Sequence, residues 1–482
     1  MAIVGGGPSG LLSAYYALQQ GQAPESITVY EASGRVGGHA GSPDKSNYGP
    51  EFIDSKHKRL LAVAKELKVE LVPSTDQNSM SFQRPNGKRM PQEEFLAAYK
   101  PLADIIREDK QRAASDPEFA RSMDAKPMDQ YLAGVAKRAE AKRISQRTYT
   151  GYFSEMMPWS ARKGLDPDIT KILSQAYASE VGQPAAKVSG LQFLREVSGE
   201  CDDNGMPITL MQSDCAYRVK GGMEKLYARL REELQEKGVN FETGAKLKSV
   251  AKKSGGMQLA FDNGRQEEAG RIVLAVPANA LADIEGLDAL GMPADTLRQA
   301  AQLQYTNNAK FTVRMKEGVE LPEENYYSNS GFQAWQRPGE GELTFLVGGD
   351  MMGGKKGKAL RMAVLSEYAA ARGMAPGELF DMSDEAAVMN MPGQGRECYP
   401  SPGAGQASQL EQLRLANARM ATQGVALAGS YMPLADGGVG FMENGAEAAY
   451  NAQQMLLAQA SEKTLSRGQQ RSTQRGGAPL GV

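Results

Sequence analysis

The sequence predicts an α/β chain, α+β over its full length, and three observations predict it. A short apolar run, Ala2-Ile3-Val4, stops at a glycine cluster. Leu11, Leu12, Tyr15 and Leu18 then recur at helical spacing, and Ile27-Thr28-Val29-Tyr30 forms a second strand-like run ending at Glu31. These segments read as one βαβ unit of about thirty residues. Beyond it, helix-favouring and strand-favouring stretches alternate, which implies a second domain of mixed sheet plus helices inserted into the first.

Each element follows in turn. A helix is expected over 58–67, where Leu61, Ala64 and Leu67 share a face. From about 91 to 200, Glu, Ala, Lys, Arg and Met dominate and strand formers are sparse, so this stretch reads as mainly helical. Gly221-Gly222 precede an amphipathic helix over 223–237. Strands are expected over 239–241, 257–261 and 272–276, the last two bracketing Asp262-Asn263-Gly264 as a hairpin turn. Phe311-Thr312-Val313, the run 343–347 and the run 425–428 are strand-like, and a helix is expected over 444–458. The division is then 1–75, 205–290 and 416–462 for one domain in three parts, with 76–204 (mainly helical) and 291–415 (β-rich) for the inserted one. Residues 463–482, with Lys463, Arg467, Arg471 and Arg475 but no acidic residue, read as a disordered basic tail.

Composition excludes several functions. The 482 residues hold 55 Lys plus Arg against 57 Asp plus Glu, a formal charge of −2, so the basic excess that phosphate backbones demand is missing and no nucleic-acid partner is expected. No apolar run reaches the ~18 residues of a membrane span. Cys201, Cys215 and Cys398 form no CxxC pair, which argues against a disulfide framework or a cysteine zinc site. The two histidines, His39 and His57, both lie in the first sixty residues, so neither a His-rich metal site nor a Ser-His-Asp triad built from distant segments is expected. No metal is expected, and the chemistry of an enzyme so poor in histidine would reside in a cofactor. A strand pattern directly after Met1, without a charged n-region, makes a cytoplasmic location the expectation.

Gly5-Gly6-Gly7-Pro8-Ser9-Gly10 fits GxGxxG between a strand and a helix, with Glu31 closing the next strand. Gly5 permits the tight turn, Gly7 lets a pyrophosphate approach the backbone, and Gly10 lets helix and strand pack closely. The helix N-terminus offers free N–H groups to phosphate, and Glu31 can accept from ribose hydroxyls. This is a Rossmann-type dinucleotide site.

The sequence continues as Glu31-Ala32-Ser33-Gly34-Arg35-Val36-Gly37-Gly38, an EAxxRxGG pattern. Further blocks are Gly49-Pro50-Glu51-Phe52-Ile53, Tyr217-Arg218-Val219-Lys220-Gly221-Gly222-Met223, Leu274-Ala275-Val276-Pro277, and the glycine-spaced run 424–449. In these blocks, in their order and in their spacing over most of the chain, the protein resembles the flavin-containing amine oxidase superfamily, which includes monoamine and polyamine oxidases, L-amino-acid oxidases, protoporphyrinogen oxidases and phytoene desaturases. The resemblance implies an FAD domain assembled from three stretches and a substrate domain over the flavin. It implies FAD contacts from Gly5, Gly7, Ser9, Gly10, Glu31, Arg35, Gly38, His39, Pro50, Leu247, Gly429, Ser430, Val439 and Gly440. Two positions depart from the family: His39 stands where Arg is common, which makes a phosphate contact weaker or pH-dependent, and Ser430 stands where Glu is usual.

The same resemblance assigns candidate chemistry. Lys310, in Tyr305-Thr306-Asn307-Asn308-Ala309-Lys310-Phe311, matches the lysine that reaches flavin N5 through a water; the alternative is an exposed strand lysine. Phe52 occupies the position where L-amino-acid oxidases carry an Arg for the substrate carboxylate, which argues against an α-amino-acid substrate unless another Arg reaches in. Glu51 could hold a substrate cation or sit in a solvated turn. Cys398-Tyr399 resembles the monoamine oxidase pair in which the cysteine bonds covalently to flavin and the tyrosine walls an aromatic cage; a buried free thiol is the alternative. Trp159 and Trp335 are cavity or core residues, and the methionines, Met156, Met157, Met351 and Met352 among them, are core or plastic pocket lining.

The first functional reading is therefore an FAD-dependent oxidoreductase that oxidises CH–NH or CH–NH2 groups of a small amine and returns electrons to molecular oxygen. The second is a flavin desaturase or dehydrogenase, and the third a non-catalytic FAD-binding protein. The resemblance admits a homodimer.

Overall fold

A computed structural model describes residues 1–40, 49–74, 79–149, 164–202, 210, 213–337, 341–383, 389–391, 399–433 and 440–475. Five short strands form one parallel sheet in the order Val425–Leu427, Ile272–Leu274, Ala2–Val4, Thr28–Glu31, Asn240–Thr243. The three central segments are almost wholly apolar because a parallel sheet is covered on both faces. The covering helices include Pro8–Gln19, Met223–Glu236 and Met442–Arg475. Strands from three separated stretches of chain thus share one sheet.

One expected pairing is wrong. Asp262-Asn263-Gly264 does turn a hairpin, but Gly256–Phe261 pairs with Gln266–Ala269 and not with the next apolar run. Gln266–Ala269 is mostly polar and carries no strand periodicity in its sequence. Ile272–Leu274, apolar throughout, is buried instead as a parallel strand between Ala2–Val4 and Val425–Leu427. The final helix also runs further than expected, carrying helical backbone to Arg475 through most of the stretch read as disordered.

A second, seven-stranded sheet has the order Met389–Met391, Asn308–Arg314, Glu342–Val347, Phe332–Arg337, Asn325–Tyr327, Met80–Gln83, Arg89–Pro91. Its last two strands come from the region read as mainly helical, which otherwise supplies helices such as Gln92–Ser115, Pro117–Asp124 and Ile169–Val181. Strand periodicity of two divides this sheet by chemistry. Ala309, Phe311, Val313, Phe332, Ala334, Phe345 and Val347 point to one side and form a core with the helix Gly357–Ala370. The opposite face carries Lys310, Leu346, Gln333 and Tyr327 in one row, each directly across from the next. A small antiparallel sheet of Phe52–Ile53, Tyr217–Val219 and Leu71–Pro73 carries Phe52 and Arg218 as direct partners. No described helix is long and apolar enough to cross a membrane.

Candidate active site

The glycine loop is built as its motif requires. At Gly5, with φ of +105°, a Cβ would lie 2.3 Å from the Ala275 carbonyl oxygen, and at Gly10 a Cβ would lie 1.8 Å from the Gly5 carbonyl oxygen. Backbone packs directly on both positions. Gly7 is different, because the nearest atom to a Cβ there is Gly38 Cα at 3.8 Å, which leaves the loop open to an approaching group. No side chain caps the N-terminus of helix Pro8–Gln19. Ser9, in its first turn, lies against Gly445 of the last helix. Glu31 accepts from the N–H groups of Gly6 and Ser33, both at 2.8 Å, which aims its carboxylate at the loop. Arg35 is exposed, and its guanidinium donates to the Gly38 carbonyl, holding the second glycine pair over the first. This open cradle of helix N–H groups, with a carboxylate at its rim, fits the pyrophosphate and ribose of FAD.

Other members of the expected set converge on the same region. Ala245, two residues before buried Leu247, donates its N–H to the Glu31 carbonyl. Gly440 donates its N–H to the Ser430 carbonyl, which joins the two ends of the closing block next to Gly429. The edge of the Tyr399 ring lies about where a Gly440 Cβ would be crowded, at 3.0 Å. Burial lowers the His39 imidazole to about 4, with the Arg35 charge adding to the effect, so His39 is neutral at pH 7 and brings no cationic charge to a phosphate. Val439 and Cys398 lie outside the described residues, as do Trp159, Met156 and Met157.

The segment Gly49-Pro50-Glu51 passes between this loop and the seven-stranded sheet. Gly49 packs so closely that a Cβ would meet the His39 carbonyl oxygen at 2.1 Å, and its own carbonyl accepts from Lys310 Nζ at 3.2 Å. Lys310 is not an exposed strand lysine, since its side chain is only 6 % exposed and its Nζ lies 2.7 Å from Glu51 Oε2. Nor does Glu51 sit in a solvated turn. Its buried carboxylate also receives the Trp335 indole N–H at 3.4 Å and faces Arg218 Nη1 at 3.6 Å, both at Oε1. Phe52 and Trp335 stand beside this group with ring centroids 5.8 Å apart, and Lys310 Nζ lies 5.4 Å from the Trp335 ring centre. The Arg that does approach Phe52 is Arg218, and it is engaged by Glu51.

Three residues were not singled out from the sequence. Arg218 lies within a recognised block but was given no role there. Gln333 projects two strands from Lys310 on the same sheet face and holds the Glu180 side chain. Glu180 interrupts an otherwise buried stretch, 176–181, of helix Ile169–Val181, and its carbonyl accepts from the Tyr399 hydroxyl. Burial raises the Glu180 carboxyl above its ordinary range, while the Gln333 hydrogen bond pulls it back. An acid within a largely apolar helical run is the legible signal. Burial pushes the thiol of Cys215, near both Glu180 and Tyr327, far up, which disfavours the thiolate form. Met351 and Met352 are core residues.

Comparison with known proteins agrees with this geometry. The family model for flavin containing amine oxidoreductase matches residues 8–437. Among solved structures, cyclohexylamine oxidase from Brevibacterium oxydans IH-35A is 18 % identical, with 95 % of this chain and 99 % of that chain covered and a TM-score of 0.71. Wild-type putrescine oxidase bound to putrescine is 17 % identical over 95 % of this chain and 98 % of that one, with a TM-score of 0.66. A putrescine oxidase variant from a redesign of cofactor binding is 18 % identical over the same shares, with a TM-score of 0.69. Comparison with curated protein sequences gives no match. The open glycine cradle, the parallel and seven-stranded sheets and the family match over nearly the whole chain agree: this protein belongs to the flavin-containing amine oxidoreductases, an FAD-dependent oxidoreductase by family.

Proposed function

We propose that this protein is an amine oxidase acting on a small amine other than an α-amino acid. The observation that carries this reading is the buried Lys310 on the sheet face opposite Gly49-Pro50-Glu51, flanked by Phe52 and Trp335. When bound, FAD would supply a two-electron acceptor for hydride from the substrate carbon next to nitrogen, with dioxygen as final acceptor, so that the products would be hydrogen peroxide and an imine that water hydrolyses to a carbonyl compound. The protein supplies binding, orientation and electrostatics. Gly5, Gly7, Ser9, Gly10, Glu31, Arg35 and Gly38 would hold the adenosine and pyrophosphate. Aromatic side chains at 52, 335 and 399 give the reacting amine an apolar surround, which favours its neutral form, the form able to release hydride.

The substrate's charge preference comes from Phe52 and Glu180. An aromatic at 52, with Arg218 facing Glu51 at 3.6 Å, leaves no uncommitted guanidinium beside Phe52 among the described residues for a substrate carboxylate. Because Glu51 already faces two protein cations, a substrate cation is better served by Glu180. Two strand spacings of about 4.8 Å separate Lys310 from Gln333, which holds Glu180. That span suits an amine with a second ammonium group several bonds from the oxidised carbon.

The test is the visible absorbance of purified protein before and after acid precipitation, followed by anaerobic mixing with monoamines, diamines and amino acids. Bleaching by amines, fastest with diamines, and peroxide on readmission of air are expected. Bleaching by α-amino acids would overturn the substrate reading, and flavin that no nitrogenous compound reduces would favour a desaturase or a non-catalytic flavoprotein. Colour retained in the acid pellet would implicate Cys398 in a covalent bond.

A further inference from the structure

We propose that Glu51 and Arg218 are positioning residues that set the net charge Lys310 presents to the cofactor. The inference rests on the reading that Lys310 stands beside the flavin ring. Three charged side chains meet in the protein interior: Lys310 Nζ at 2.7 Å from Glu51 Oε2, and Arg218 Nη1 at 3.6 Å from Glu51 Oε1. Their side chains are 6 %, 1 % and 10 % exposed in the order Lys310, Glu51, Arg218. Lys310 also donates to the Gly49 carbonyl and Glu51 also accepts from the Trp335 indole, while Arg218 Nε has no partner among the described residues.

A lysine–carboxylate pair on its own is a dipole, whose field fades faster with distance than that of a single charge. Such a pair would hold Lys310 in place and at the same time cancel most of its influence. Arg218 removes that conflict. Its guanidinium stays protonated in proteins, so these three side chains, two cations and one anion, together carry a formal charge of +1. Burial keeps that charge from being screened by solvent. Glu51 therefore fixes where the ammonium sits, and Arg218 restores the positive field that favours a cofactor taking on electrons. The two residues face each other across the small sheet, in which Phe52, next to Glu51, is the direct partner of Arg218.

Charge counting makes the proposal testable on the flavin-loaded enzyme by spectroelectrochemical titration of its midpoint potential. Glu51→Gln leaves two cations and should raise the potential, and Arg218→Met leaves none in excess and should lower it. Each shift should amount to at least tenfold in the equilibrium constant for reduction, about 30 mV for a two-electron couple. The double variant returns the formal charge to +1, and its potential should come back to within about threefold of the parent constant. Arg218→Lys, which keeps the charge, covers the case in which Arg218→Met does not retain flavin, and it should stay near the parent value. If Lys310→Met moves the potential but Glu51→Gln and Arg218→Lys/Met series do not follow charge, the proposal is wrong while the placement of Lys310 stands. If Lys310→Met also leaves the potential unchanged, Lys310 is not beside the flavin, and the reading and the inference fall together.

Discussion

His39 shows how far one side chain's surroundings can change its meaning. By type it is the residue that switches charge near neutrality, but burial has taken it to about 4 from 6.5. Between those two values the unfolded chain binds a proton that the folded imidazole refuses. The stability involved is therefore fully present above about pH 6.5 and is lost as pH falls toward 4, by at most about 3 kcal/mol. His57 is also lowered, chiefly by burial, against the opposing pull of Asp54, and adds in the same direction. Thermal melts of the holoenzyme at pH 7, 5.5 and 4.5 should show a steeper acid loss in the parent than in His39→Gln. Parallel curves would mean that His39 titrates normally in the folded protein.

At the scale of an element, the turn from strand Ala2–Val4 into helix Pro8–Gln19 separates structural from ligand-facing glycines. Gly10→Ala would drive a methyl group into the Gly5 carbonyl, 1.8 Å away, and should cost about 3 kcal/mol or more of stability with or without cofactor. Gly7 already has φ of −78°, which any residue adopts, and a Cβ there would make only ordinary contact, with Gly38 Cα at 3.8 Å. Gly7→Ala should leave the melting temperature of the flavin-free protein unchanged while weakening FAD binding at least tenfold, measured by fluorescence titration. Equal destabilisation by both substitutions would contradict the assignment of Gly7 to the ligand.

Across the whole molecule, distant chain segments complete one another. Helix Lys58–Glu66 lacks a side-chain cap from its own N-cap residue, His57. Buried Glu443 of the last helix serves instead, accepting from the N–H groups of Arg59 at 2.8 Å and Leu60 at 3.1 Å. A carboxylate at a helix N-terminus also meets the positive end of the helix dipole. Glu443→Ala should lower stability by about 2 kcal/mol in urea unfolding, and Glu443→Gln, which keeps one acceptor oxygen, by less than half as much. Equal losses would assign the effect to packing and not to the cap.

The sequence alone determined the features that depend on local periodicity and motif spacing. The GxGxxG loop and the helices at 58–66 and 223–236 lie where spacing placed them, within a residue or two, and the strand-like run 311–313 is the middle of the longer strand Asn308–Arg314. The lysine and aromatic candidates were legible for the same reason, since each sits in a recognisable block. Tertiary structure decided what those residues touch. Glu51 and Lys310 are 259 residues apart, and no local pattern distinguishes a carboxylate in a solvated turn from one buried against an ammonium and a guanidinium. Gln333 and Glu180 entered the site through sheet register and helix docking, and Gln266–Ala269 became a strand only because a hairpin brought it to a partner. Local spacing specifies which way a side chain points from its element; only the packing of elements on one another specifies what stands there to meet it.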